Sequence, residues 1–319
     1  MKIVFMETDT LGGDVDLSLF DKLGDVIKYP SSNSNQYEER VKDAEILIIN
    51  KVPMHAKTLE KAQYLKLICI TGTGTNVVDF NYTNSRNIKV CNVKSYSTQS
   101  VVQHTFALFF YVYEKLSYYD HFVKSGEYIR SDIFSHFNIK FHELAGKTWG
   151  IIGLGEIGRG VAEVAKNFGC KVIYYSTSGK NTTADYKQVD LDTLLSNSDV
   201  ISIHAPLNDT TKDLISEEEL RKMKSNTVLL NLGRGPIVNE QALAKALKEE
   251  WIAAAGLDVL AIEPMSENNP LIEIQDSTKL IITPHIAWAT VEARQRVTEE
   301  VFKNITAFQN GEGRNIVKA

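Results

Sequence analysis

The chain has 319 residues, 43% of them hydrophobic and 24% charged, with a formal charge of −5 at neutral pH. That length exceeds one simple core and points to two domains, in the proportions of an ordinary globular protein. A negative balance without any basic block excludes a nucleic-acid or anionic-membrane surface. No apolar run approaches the roughly 18 residues that span a bilayer, and no His/Cys/carboxylate cluster has metal-ligand spacing, so no metal is expected.

Met1-Lys-Ile-Val-Phe-Met6 is too short for a secretory signal and reads as a first β-strand, so a cytoplasmic location is expected. Further apolar runs at 26–29, 46–50, 67–70 and 88–91 predict strands, with helical patterns between them such as Asp16–Leu23 and Tyr37–Ala44. The alternation indicates an α/β class with parallel sheets. A helix-like stretch, Thr98–Lys124, follows, and Phe106, Phe109, Phe110, Tyr111 and Tyr113 make it too apolar for a solvated connector. Its expected roles are a bridge between domains and a subunit interface. From Lys147 a second series begins, with strands at 148–152, 171–175, 199–203, 227–230, 253–257 and 279–282. The last helix, Thr290–Asn310, is expected to return to the N-terminal domain and make it discontinuous. The expected domains are therefore 1–97 with 290–319, and 98–289. Cys69, Cys91 and Cys170 form no Cys-x-x-Cys and read as buried small residues in a reducing compartment.

The segment Gly153-Leu-Gly-Glu-Ile-Gly158 has the G-x-G-x-x-G spacing between an apolar strand and a helix, Glu156 to Phe168, with a second strand beyond. In that context the glycines allow a tight turn and a close approach to a pyrophosphate, which the helix N-terminus attracts. Glu156 and Ile157 belong to this cofactor-binding turn. About 20 residues on, where a ribose-binding acid is usual, stands Ser176. No carboxylate repels a 2′-phosphate there. Ser176, Thr177 and Ser178 offer donors and Lys180 a charge, which favours NADP(H) over NAD(H).

Three polar residues follow three late strands: Arg234 in Asn231-Leu-Gly-Arg-Gly-Pro236, Glu263 in Gly256-Leu-Asp-Val-Leu-Ala-Ile-Glu-Pro264, and His285 in Thr283-Pro-His-Ile-Ala-Trp288. The carboxyl ends of parallel strands form the ligand crevice of such a sheet. A permanently charged planar guanidinium binds a carboxylate and polarises a carbonyl, and an imidazole exchanges protons near neutral pH. A carboxylate beside the imidazole fixes its orientation. His104, His121, His136 and His142 match no ligand spacing and read as structural.

These motifs, with Thr71-Gly-Thr-Gly-Thr-Asn-Val-Val-Asp79, Gln103-His-Thr-Phe-Ala-Leu108, Glu143-Leu-Ala-Gly-Lys-Thr148 and His204-Ala-Pro-Leu207, resemble the D-isomer-specific 2-hydroxyacid dehydrogenases over nearly the whole length. His285 and the residues around it look most like the glycerate dehydrogenase or hydroxypyruvate–glyoxylate reductase branch. The resemblance implies two doubly wound parallel-sheet domains, a Rossmann-type cofactor domain and a flavodoxin-like substrate domain, with a cleft between them. It implies reduction of a small 2-keto acid to the D-2-hydroxy acid, or the reverse, with His285 as acid/base paired to Glu263 and Arg234 on the substrate. Thr73 and Gly74 would complete the anion site, unless that segment is a plain turn. Thr105, His204, Pro206, Asn231, Leu232, Asp258 and His285 would contact the cofactor, Asp258 at its carboxamide. Trp288 would either wall the substrate pocket or only pack. A homodimer through the 98–140 region is expected, and the resemblance makes Tyr128, Phe134 and Phe137 the candidates for reaching a partner subunit's site, if any of them does. D-lactate or another D-2-hydroxyacid is the alternative substrate class. A cofactor-sensing corepressor-like interaction protein is the alternative of another kind, and a formate-oxidising enzyme a third.

Overall fold

The structure, a computed structural model, describes residues 1–317. Lys318 and Ala319, the end of the segment expected to join the N-terminal domain, lie outside the described residues. The chain divides into two compact units, Met1–Ser97 with the segment from Ala289 onward, and Thr98–Trp288.

The first unit holds five parallel strands: β1 (Lys2–Phe5), β2 (Asp25–Lys28), β3 (Ile46–Ile49), β4 (Leu67–Ile70) and β5 (Lys89–Cys91), in the order β2-β1-β3-β4-β5. Every side chain of β3 and β4 is buried, as strands covered on both faces must be. The helix Val291–Gln309 belongs here. Thr290 caps it by accepting from the Ala293 N–H, and it packs against β4. Beyond it, Ile316 bridges to Cys91. Cys69 and Cys91 face each other in register on β4 and β5 as buried free thiols, with Sγ atoms 3.2 Å apart.

The second unit holds seven parallel strands: β6 (Thr148–Ile152), β7 (Lys171–Tyr175), β8 (Lys187–Gln188), β9 (Val200–Ile203), β10 (Val228–Asn231), β11 (Ala254–Leu257) and β12 (Leu280–Ile282). Their order is β12-β11-β10-β9-β6-β7-β8, so the winding reverses between β6 and β9. A reversal of that kind opens the crevice in which doubly wound sheets bind ligands. Strand β8 was not expected. It is a two-residue edge strand of exposed Lys and Gln, with no apolar run to mark it.

The expected helix Thr98–Lys124 is instead two helices, Thr98–Tyr113 and Leu116–Lys124. Lys115 breaks it at φ 55°, and its ammonium donates to the Thr278 carbonyl at 3.0 Å. The two halves differ in burial. The first sinks Val101, Phe106, Phe109 and Val112 into the core around Trp149, whereas the second has no buried residue. Two earlier helical expectations also shorten, to a 3-10 turn Ser18–Leu23 and a helix Tyr37–Val41. Among the described residues no helix is long and apolar enough to cross a membrane, and no group of His, Cys, Asp or Glu could hold a metal ion.

Candidate active site

The turn after β6 is shaped by its first glycine. Gly153 has φ 92°, and a Cβ there would lie 2.8 Å from the Ala205 nitrogen. Both facts exclude other residues. At Gly155, by contrast, a Cβ would meet nothing within 4 Å. That open space lies at the N-terminus of the helix Glu156–Asn167, whose positive dipole end attracts phosphate. Glu156 is turned sideways, accepting from Thr98 Oγ1 at 2.9 Å, and Ile157 packs on the core.

The neighbouring strand ends carry buried polar atoms with no protein partner. Ser176 follows β7 and its Oγ is buried and unbonded. His204 follows β9, and both ring nitrogens are buried and unbonded although part of the residue is exposed. Burial alone drives the His204 pKa down to about 3. Buried polar groups are rarely left unpaired, so these atoms fit a polar ligand lying along the carboxyl edge of β7, β6 and β9. Ser178 and Lys180 lie exposed in the loop beyond Ser176, with Thr177 half-buried between them. Arg159, which no motif singles out, donates to the Thr182 carbonyl in that loop at 3.1 Å. Pro206 is exposed, with its carbonyl accepting from Thr211 Oγ1. Thr105 and Leu232 are buried, and the Thr105 hydroxyl donates to the Val101 carbonyl.

Arg234, Glu263 and His285 follow β10, β11 and β12, which are adjacent in the sheet. Asn231 shapes the first of these turns. Its buried carboxamide accepts from the Gly233 N–H at 3.1 Å and donates to the Arg234 carbonyl at 3.0 Å. The Arg234 guanidinium donates to the Gly233 carbonyl at 2.7 Å. Glu263 Oε1 accepts from the Leu260 N–H at 3.0 Å, and Oε2 accepts from His285 Nδ1 at 2.7 Å. Because the carboxylate only accepts, Nδ1 carries the hydrogen and Nε2 is left for a ligand. His285 has φ 55°, outside the ordinary range for its type.

Asp258, almost fully buried at the end of β11, accepts from Thr283 Oγ1 at 2.7 Å and from the backbone N–H groups of Ile286 and Ala287, each at 2.9 Å. His104 reaches the same network from the helix Thr98–Tyr113, its Nε2 lying 2.9 Å from Thr283 Oγ1. Burial holds His104 below the usual histidine range, with the Asp258 carboxylate opposing. Trp288 packs on the hydrophobic cluster that contains Trp149.

In the first unit, Thr73 and Gly74 follow β4, with Thr73 Oγ1 donating to the Val93 carbonyl at 2.8 Å. Glu7, which sequence reasoning also missed, follows β1. Its Oε1 gathers the N–H groups of Asn50, Lys51 and Val52 at 2.6–2.8 Å and so fixes the turn after β3.

A glycine turn opening onto a helix N-terminus, unsatisfied polar atoms beside it, and a Glu-held imidazole next to an arginine turn on the same sheet define a nicotinamide-dependent oxidoreductase. The model of the NAD-binding domain of D-isomer specific 2-hydroxyacid dehydrogenases matches residues 106–287. Glycerate dehydrogenase of Methylorubrum extorquens is 38% identical, over 100% of this chain and 99% of its own. Among solved structures, an acyclic imino acid reductase in complex with NADPH and D-Arg superposes with a TM-score of 0.87 at 31% identity, covering 100% of both chains. D-lactate dehydrogenase from Aquifex aeolicus, complexed with NAD and lactic acid, gives a TM-score of 0.86 at 29% identity, covering 97% of this chain and 96% of that one. The chain belongs to the D-isomer specific 2-hydroxyacid dehydrogenase family.

Proposed function

We propose that this enzyme reduces a small 2-keto acid of the hydroxypyruvate or glyoxylate type to the D-2-hydroxy acid, and runs the oxidation on the same groups. The observation that carries the reading is the 2.7 Å bond from His285 Nδ1–H to Glu263, which leaves Nε2 to exchange a proton. The nicotinamide supplies or accepts the hydride at the substrate's second carbon. In the reductive direction protonated Nε2 donates to the carbonyl oxygen as it becomes an alkoxide, while Glu263 keeps the ring aligned. Arg234 binds the substrate carboxylate and polarises the adjacent carbonyl, a paired task that suits its planar fork. The similarity to glycerate dehydrogenase supports the hydroxypyruvate type, since hydroxypyruvate is the keto acid of glycerate. Thr73, Gly74 and Trp288 join the substrate-binding set on the family resemblance.

The cofactor pyrophosphate is assigned to the Gly153–Gly158 turn, with Glu156 and Ile157 contributing backbone. His204, Pro206, Asn231, Leu232, Asp258, Thr105 and His285 complete the contacts. NADP(H) is favoured over NAD(H) because Ser176, not an acid, follows β7 and keeps an unbonded buried hydroxyl. Thr177, Ser178 and Lys180 add donors and charge. The chain is also proposed to form a homodimer through the 98–140 region. The segment after the second helix exposes Ile129 (87%), Phe134 (91%) and Phe137 (77%), more apolar surface than a monomer ordinarily shows in one stretch.

Steady-state kinetics with hydroxypyruvate, glyoxylate, pyruvate and longer keto acids, each with NADH and NADPH, tests both parts. The expected result is highest kcat/KM for hydroxypyruvate or glyoxylate, with NADPH ahead of NADH. Best turnover of pyruvate would overturn the substrate assignment, and a higher kcat/KM with NADH would overturn the cofactor preference.

A further inference from the structure

We propose that His104 is a positioning residue for the reaction, acting through Thr283 and Asp258 on the conformation of His285. The inference rests on the role of His285 proposed above.

The chain of contacts is continuous. The Thr283 hydroxyl has one hydrogen, and it goes to Asp258 Oδ1 at 2.7 Å, because a carboxylate has none to offer. Thr283 Oγ1 must therefore accept from His104, whose Nε2 lies 2.9 Å away, and this fixes the His104 tautomer with its hydrogen on Nε2. Burial lowers the His104 pKa, which suits a neutral ring in that donor role. Oδ1 also accepts from the Ile286 N–H, and Oδ2 from the Ala287 N–H. These are the two residues that follow His285 and its left-handed φ of 55°. On the other side, the His285 N–H donates to the Thr283 carbonyl at 2.9 Å. The strained residue is thus held between two fixed points, Thr283 before it and the Asp258 clamp after it.

The helix Thr98–Tyr113 grips this loop a second time. Ser100, one turn before His104 on the same helix face, donates to the Ala287 carbonyl. Ser100 and His104 together pin both ends of the segment 283–287. Such a frame is what a residue in left-handed backbone needs, because the surrounding bonds must over-determine its conformation. Without His104 the Thr283 hydroxyl loses its donor and Asp258 its support, and the loop can relax so that His285 leaves Glu263.

The test measures turnover of hydroxypyruvate with NADPH, NADPH affinity by fluorescence, and thermal stability for His104→Leu, Thr283→Val and His104→Gln, each also in a His285→Gln background. His104→Leu and Thr283→Val should each lower kcat by about tenfold or more, a larger factor than any loss of NADPH affinity through Asp258. His104→Gln, whose amide nitrogen reaches the place of Nε2, should restore most of the rate. In the His285→Gln background the same changes should cost nothing further, since a residue acting through His285 has nothing left to position. Unchanged kcat in folded His104→Leu or Thr283→Val overturns the proposal, as does a loss that multiplies with that of His285→Gln. Should His104→Leu fail to fold, Thr283→Val and His104→Gln decide. Full turnover by His285→Gln itself is a different result, and it would overturn the role of His285 instead.

Discussion

At the scale of single residues, two glycines of one turn have opposite reasons to be glycine. Gly153 is demanded by the fold, since its φ is 92° and a Cβ would press on Ala205. Gly155 is not, because a Cβ there meets open space at an ordinary negative φ. Gly153→Ala is expected to destabilise the protein by about 1–3 kcal/mol, read from denaturant unfolding. Gly155→Ala should fold with an almost unchanged midpoint yet bind NADPH at least several-fold more weakly, as the methyl fills the approach to the helix N-terminus. Wild-type NADPH affinity in Gly155→Ala would mean the space is not where the pyrophosphate lies. His204 makes a prediction in pH. Its folded pKa of about 3 lies below the ordinary 6.5, so between those values the unfolded chain binds a proton that the folded one does not. Its contribution to stability is full above pH 6.5 and is lost as pH falls toward 3, with a slope of up to about 1.4 kcal/mol per pH unit. His204→Gln should remove that one-proton slope from the acid side of the stability profile, and parallel profiles for the two proteins would contradict it.

At the scale of elements, what the sequence revealed follows what its patterning could encode. Eleven of the strands carry apolar runs, because a parallel sheet covered on both faces leaves no polar alternation, and each was readable. Strand β8, exposed Lys187–Gln188 at the sheet edge, carries no such run. The break at Lys115 was hidden because Leu116–Lys124 keeps a helical pattern, and the turn depends on a tertiary bond to Thr278. Arg234, Glu263 and His285 were legible because each follows a strand in a compact motif. Glu7, Arg159 and His104 were not, since each acts on a backbone or hydroxyl group 23 to 179 residues away, a relation no local spacing reports. Composition suggests an interface through the 98–140 region, and the exposure of Ile129, Phe134 and Phe137 supports that proposal. Replacing Phe134 and Phe137 together by Ser should shift the sedimentation coefficient from dimer toward monomer at micromolar concentration. A monomeric wild type would remove the dimer from the account.

At the scale of the whole molecule, the two units share one architectural rule. Each is a parallel sheet whose functional candidates lie just past the carboxyl ends of strands: Glu7, Thr73 and Gly74 on the first, and the glycine turn, Ser176, His204, Arg234, Glu263 and His285 on the second. The reaction class follows from the second unit, because a dinucleotide turn and a Glu-held imidazole on one sheet pair a hydride carrier with a proton carrier. The substrate follows less directly, since side chains of turns rather than strands set the size of keto acid admitted. Arg234→Lys keeps the charge but loses the planar fork, and kcat/KM for hydroxypyruvate should fall by roughly a hundredfold through both KM and kcat. A change confined to KM would mean Arg234 binds without polarising.

The proton on His285 Nε2 is the centre of this account, and comparing wild type with His285→Gln in NADPH-dependent reduction of hydroxypyruvate addresses it most directly. We expect kcat to fall by roughly a hundredfold or more and NADPH affinity to fall far less, because glutamine fills the place of the imidazole but cannot deliver a proton. Turnover within a few-fold of wild type in that variant would contradict it.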